Sequence, residues 1–122
     1  GWTWADNLSH DLGVQVDDTI WVSGMVAFDP EGSIVGLGDM RIQAYTVFAN
    51  IAEVLALGGA TLDDVVKITA WLTDMSDYSA YNEARTTAFP DRLPASATVL
   101  SPQLVLPGLL VEIEAVAVVA TD

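Results

Sequence analysis

Apolar positions recur along the chain with two distinct spacings. Met40, Ala44, Val47, Phe48, Ile51, Val54 and Leu55 return at steps of three and four, the period of a helix with one buried side. Asp39 is placed to cap its start, and Gly58-Gly59 to end it. After Ser76-Asp77 as cap, Tyr78, Tyr81, Arg85 and Phe89 predict a second, shorter helix that Pro90 and Pro94 close. Elsewhere the period is two. Within Gly13–Phe28, alternating Val14 and Val16 and the run Thr19-Ile20-Trp21-Val22 predict two short strands turning at Asp17-Asp18. Asp63–Met75 predicts a strand with Val66, Ile68, Ala70 and Leu72 on one face and Val65, Lys67, Thr69 and Trp71 on the other. Ala97–Leu100 predicts a short strand and Leu109–Ala120 a long closing one, while Asp29-Pro30-Glu31-Gly32 and Pro102–Gly108 are turn and loop. Residues 1–11 are expected to be an N-terminal arm or loop. The order β-β-α-β-α-β-β is that of an α+β domain whose two helices pack on one face of one mixed sheet.

Composition adds a bound on size and a hint of assembly. The 122 residues suffice for one domain, 1–122, and 52% of them are apolar. So apolar a small chain is expected to hide surface in an oligomer interface. The longest unbroken apolar stretch, Ala115 to Ala120, is far short of the roughly 18 residues of a membrane span. A cytoplasmic protein with no membrane partner is the expectation. Charge narrows the partners further. Seventeen acids against four bases give a net charge of −13, which repels nucleic acid and anionic lipid, so no nucleic-acid partner is expected. Any anionic small molecule would have to be drawn in by Arg41, Lys67, Arg85 or Arg92.

Candidate chemistry is sparse. Cysteine is absent, which excludes disulfides, thiolate metal sites and thiol nucleophiles; with a single histidine, no metal-ligand spacing stands out. Gly36-Leu37-Gly38 lacks the preceding strand and the third glycine of a phosphate loop, so no such loop is expected. The closing strand places Glu112 and Glu114 on one face, about 7 Å apart. On a buried face their repulsion and desolvation would raise a pKa and create a general acid or base; on an exposed edge they would be a solvated polar face. His10 lies in a polar segment just before the first strand, where a surface role is the ordinary one. Asn82, Ser96, Thr98 and Ser101 are polar but unremarkable individually.

Several segments together resemble the Rid/YjgF family of reactive-intermediate deaminases. They are Ile20-Trp21-Val22-Ser23-Gly24, the run from Asn50-Ile51 through Gly59 to Asp64-Val65-Val66-Lys67-Ile68-Thr69, and Asp74-Met75-Ser76-Asp77-Tyr78 with Tyr81-Asn82-Glu83 and Phe89. Pro94-Ala95 and Leu106-Pro107-Gly108 to Val111-Glu112-Ile113-Glu114-Ala115 complete the pattern, which runs from about Leu12 to the end. The resemblance implies a chorismate-mutase-like fold, a homotrimer whose sheets form a central barrel, and ligand clefts between subunits. It also implies cofactor-free hydrolysis of enamines and imines to a keto acid and ammonia. In such proteins an arginine holds the substrate carboxylate and a glutamate of the last strand positions water.

Carried over by residue, the resemblance makes Glu112 that glutamate and places Gly24 and Asn82 in the substrate site. Ser96 stands where the arginine should follow Pro94-Ala95, Thr98 where a cysteine or small residue is usual, and His10 where a cleft tyrosine is common. Glu112 and His10 are therefore the candidate catalytic residues, and Gly24, Asn82, Ser96 and Thr98 the candidate substrate-binding ones. Three functions compete: a small-molecule hydrolase or deaminase with a divergent pocket, a non-catalytic ligand-sensing or interaction trimer, and a ribonuclease. Three chains at −13 would carry −39, which ranks the ribonuclease last.

Overall fold

The computed structural model describes residues 10–119 together with Trp2, Ala5 and Leu8. The arm expected over 1–11 and the expected end of the closing strand at Ala120 lie mostly or wholly outside these residues. In chain order the elements are β1 (Gly13–Val16), β2 (Thr19–Met25), α1 (Met40–Leu57), β3 (Val65–Leu72), α2 (Tyr78–Ala88), β4 (Ala95–Leu100) and β5 (Val111–Val118), with 3₁₀ turns at Leu62–Asp64 and Met75–Asp77. The strands form one sheet in the order β1-β2-β5-β3-β4, antiparallel except for the β3–β4 pair. That parallel pair is joined by the α2 crossover, as parallel neighbours require.

Both helices lie on one face of the sheet. Ile20, Val22 and Met25 of β2, Ile68, Ala70 and Leu72 of β3, and Val111, Ile113, Ala115 and Ala117 of β5 are buried against Val47, Phe48, Ile51 and Leu55 of α1 and Tyr81 and Ala84 of α2. Phe48 meets Phe89 edge-on at 5.5 Å, closing the core beneath α2. Asp39 caps α1 by accepting from the Ile42 N–H at 3.0 Å, and Gly59, at φ 76°, supplies the left-handed residue beyond its end.

Details of the strands differ from the sequence reading. A bulge between Val65 and Lys67 buries Val65 with Ile68, Ala70 and Leu72 and turns Val66 to the surface, the reverse of strict alternation. Asp77 stands at the N-cap of α2 as the sequence predicts, and Asp74 caps the 3₁₀ turn before it, its carboxylate accepting from the Ser76 N–H at 2.9 Å; this bond holds the Asp74 pKa below the ordinary value. Strand β4 begins at Ala95, two residues early, because the ladder with β3 already pairs Lys67 with Ala95.

The opposite face of the sheet carries no helix. Trp21, Val118 and Val99 on it are 46%, 42% and 41% exposed, beside half-buried Trp71 and Val116. A two-layer domain ordinarily does not leave such a face to water. Among the described residues, no helix is long and apolar enough to cross a membrane.

Candidate functional site

Alternation on β5 sends Glu112 and Glu114 to the open face while Val111, Ile113 and Ala115 enter the core. Across from them β2 is irregular. Val22 pairs with Ala115 and Met25 with Ile113, so Ser23 and Gly24 together span the single residue Glu114. This bulge brings the Gly24 backbone against the Glu112 side chain. A Cβ at position 24 would lie 2.6 Å from Glu112 Oε2, 3.0 Å from its Cδ and 3.2 Å from its Cγ. Glycine at this position leaves the Glu112 carboxylate free to rest against the strand; any larger residue would push it aside.

The same bulge anchors the chain that carries His10. Ser23 Oγ donates to the Asp11 carbonyl at 2.6 Å, and the Ser23 N–H donates to the Leu12 carbonyl at 2.8 Å. His10, Gly24, Glu112 and Glu114 then line one cavity of about 680 Å³, whose apolar walls include Leu12, Val26, Phe28 and Leu106. The Leu106 wall is tied down from below by Gln43, which is fully buried on α1. Its Nε2 donates to the carbonyls of Gly36 (3.1 Å) and Gly108 (2.8 Å), and its Oε1 accepts from the Leu110 N–H at 2.8 Å. Burial raises the Glu112 pKa above its ordinary value, and the neighbouring Glu114 charge raises it further. A half-buried carboxylate in a cavity that a histidine also lines, large enough for a small metabolite, can exchange protons with a bound molecule.

Asn82, Ser96 and Thr98 are elsewhere. Register places Ser96 opposite Ile68 and Thr98 opposite Ala70, on the helix side of the sheet's outer edge, whereas Glu112 opposes Trp71 on the open side. Within one chain, then, the six candidate residues form two groups on opposite faces: His10, Gly24 and Glu112 in one, Asn82, Ser96 and Thr98 in the other.

At the centre of the second group stands a residue the sequence reading did not single out as part of a site. Arg85, half-buried on α2, donates through Nη1 to Ser96 Oγ at 2.9 Å, and through Nη2 to Asn82 Oδ1 and Tyr78 Oη, both at 2.7 Å. Its guanidinium lies 5.6 Å from the Tyr78 ring centre and 5.2 Å from that of Tyr81. The signal was present in the spacing: Tyr78, Tyr81, Asn82 and Arg85 stand seven, four and three residues apart and share a helix face. Arg92 is exposed in the loop before β4. Among the described residues, no group of three or more His, Cys, Asp or Glu side chains converges as a metal site would need.

Comparison with known proteins gives the same pattern a family. Residues 5–119 match the family model described as Endoribonuclease L-PSP. The chain is 40% identical over 109 residues to the 2-iminobutanoate/2-iminopropanoate deaminase of Mus musculus, covering 89% of this chain and 80% of the relative. It is 36% identical over 108 residues to a RutC family protein of Pyrococcus abyssi, covering 88% and 84% of the two chains. The crystal structure of RidA from an Antarctic Psychrobacter superposes with a TM-score of 0.86 at 33% identity, over 93% of this chain and 90% of that one. The mixed sheet backed by two helices, the Ser23-Gly24 bulge under Glu112 and these matches together place the chain in the Rid/YjgF family.

Proposed function

We propose that this protein is a cofactor-independent hydrolase of small imines or enamines, acting in clefts between the subunits of a homotrimer. The observation that carries the reading is Glu112, a half-buried carboxylate with a raised pKa, seated on a glycine kept free of a side chain and sharing a cavity with His10. The mouse relative's name supplies the substrate class: an imine of a 2-oxo acid. In the reaction, Glu112 takes a proton from a water molecule as its oxygen bonds to the imine carbon, and the C=N π electrons move to nitrogen. His10 delivers a proton to that nitrogen. The carbinolamine then collapses: protonated Glu112 gives its proton to the amine nitrogen, His10 takes back the hydroxyl proton, and ammonia leaves behind a ketone, with both side chains restored. No redox partner is needed.

The uncovered sheet face supports the assembly part of this reading. Trp21, Trp71, Val99, Val116 and Val118 present an apolar surface too large to leave in water, and other copies of the same chain are its natural cover. Packing between copies would also bring the Glu112 side of one chain toward the Arg85 side of another, uniting the two half-sites. The position of Ser96 favours one other reading, a ligand-sensing trimer without catalysis.

The test is release of ammonia and keto acid from imines generated in place by an amino-acid oxidase. Wild-type acceleration that Glu112→Gln abolishes, with the trimer intact, is expected. Equal rates with and without wild-type protein would leave the sensing reading in its place.

A further inference from the structure

We propose that Arg85 is the anion anchor of this protein, binding the carboxylate of its ligand from helix α2 beside Ser96. The argument starts from charge. In a chain of net charge −13, the only ion pair among the described residues is Arg41–Glu83 at 3.0 Å, and Arg85 makes none. Every group that holds it is neutral: the Tyr78 hydroxyl, the Asn82 carbonyl, the Ser96 hydroxyl and two aromatic faces. Neutral partners fix the orientation of a guanidinium and leave its charge uncompensated. Among these bonds Nη2 is fully used, while Nε–H and one N–H of Nη1 have no acceptor.

A second observation points to the same spot. The hydroxyl of Tyr81, a fully buried residue, makes no well-formed hydrogen bond among the described residues. Burial raises its pKa; the Arg85 charge and the nearby Ser96 and Thr98 hydroxyls partly offset that rise. A buried donor without an acceptor is costly, and it stands beside an arginine with donors to spare. A carboxylate at this place would accept from the guanidinium, which the Tyr81 ring and hydroxyl hold from beneath. A carboxylate is the fitting anion because the local charge is one guanidinium, and because planar bidentate recognition is what arginine does best. Ser96 and Arg85 therefore serve one space: the small side chain on β4 leaves room for the large one from α2.

That this carboxylate belongs to the hydrolysed substrate rests on the reading under Proposed function; the anion site itself does not. The experiment measures calorimetric binding of 2-oxobutanoate, a stable keto acid, to the intact assembly, alongside imine turnover. Arg85→Gln is expected to weaken binding about 10- to 100-fold and raise KM to match, while Arg85→Lys recovers only part of the loss. The double variant Arg85→Gln/Ser96→Arg, which returns a guanidinium to the same space from the strand, is expected to regain binding; a purely structural arginine would give no such rescue. Circular dichroism and thermal melting confirm that each variant is folded. Keto-acid binding that Arg85→Gln leaves unchanged, no binding by wild type, or a double variant that is folded yet binds no better than Arg85→Gln, overturns the anchor. Binding through Arg85 without imine turnover keeps the anchor and removes the hydrolase reading. Glu112-dependent turnover with KM unmoved in Arg85→Gln does the reverse.

Discussion

Gly24→Ala isolates the geometry on which the candidate active site depends. A methyl at position 24 would stand 2.6 Å from Glu112 Oε2, against 3.4 Å for ordinary van der Waals contact, so the carboxylate must retreat by 0.8 Å. The backbone offers no obstacle, since Gly24 does not occupy the left-handed region where a side chain is strained. Alanine also restricts the unfolded chain, worth about 0.4–1 kcal/mol of stability, which roughly offsets the cost of moving Glu112. The melting temperature should therefore stay nearly constant. Activity should not: displacing a catalytic group by about 1 Å typically costs about 100-fold in rate. The assay pairs thermal melting with imine turnover. A variant that melts with wild type and loses about two orders of magnitude in kcat fits the account. Wild-type turnover in Gly24→Ala would refute the claim that Glu112 acts from the position it occupies.

Three further outcomes are expected. Light scattering should give a mass of three times 13.0 kDa, 39 kDa, and Val116→Asp, on the open sheet face, should dissociate the assembly; a 13.0 kDa wild-type species would remove any site between chains. Gln43→Leu should cost about 2–3 kcal/mol in urea unfolding, because it strands the Leu110 N–H and the Gly36 and Gly108 carbonyls in the interior; a loss under half a kilocalorie would show that water replaces the amide. The pH dependence of stability should carry the mark of Glu112. Its folded pKa lies above the ordinary 4.5, so in the window above that value the native state holds a proton the unfolded chain has lost, and stability falls as pH rises. Glu112→Gln lacks this loss, so its stability relative to wild type should grow from acid toward neutral pH; a pH-independent difference would show Glu112 to be unperturbed.

Much of the fold was legible because it is local. The three- and four-residue steps of α1 and the alternation of β5 each bury one side of their own element, so both could be read without knowing their partners. What escaped depends on pairing. The bulge that exchanges Val65 for Val66 arises from register against β5 and leaves no mark on its own strand, whereas the one at Ser23-Gly24 is marked only by its glycine. The site divides the same way. Glu112 and Gly24 could be matched by motif, whereas Arg85 is only one of four candidate cations until β4 brings Ser96 to its side chain. Substitution at one position was visible in the sequence. The guanidinium that stands next to it, 11 residues earlier in the chain, was not.

The central claim, a site shared between subunits, is tested most directly by mixing two disabled variants. Glu112→Gln and Arg85→Gln lie on opposite faces of one chain, so each mixed trimer should contain one interface with an intact Glu112 from one copy and an intact Arg85 from its neighbour. Unfolded together in equal amounts and refolded, they should regain about one quarter of wild-type turnover, the share of interfaces in which both intact residues meet by chance. Each variant refolded alone should stay at its own low rate. A mixture no more active than the mean of the two separate variants would contradict a site built between chains.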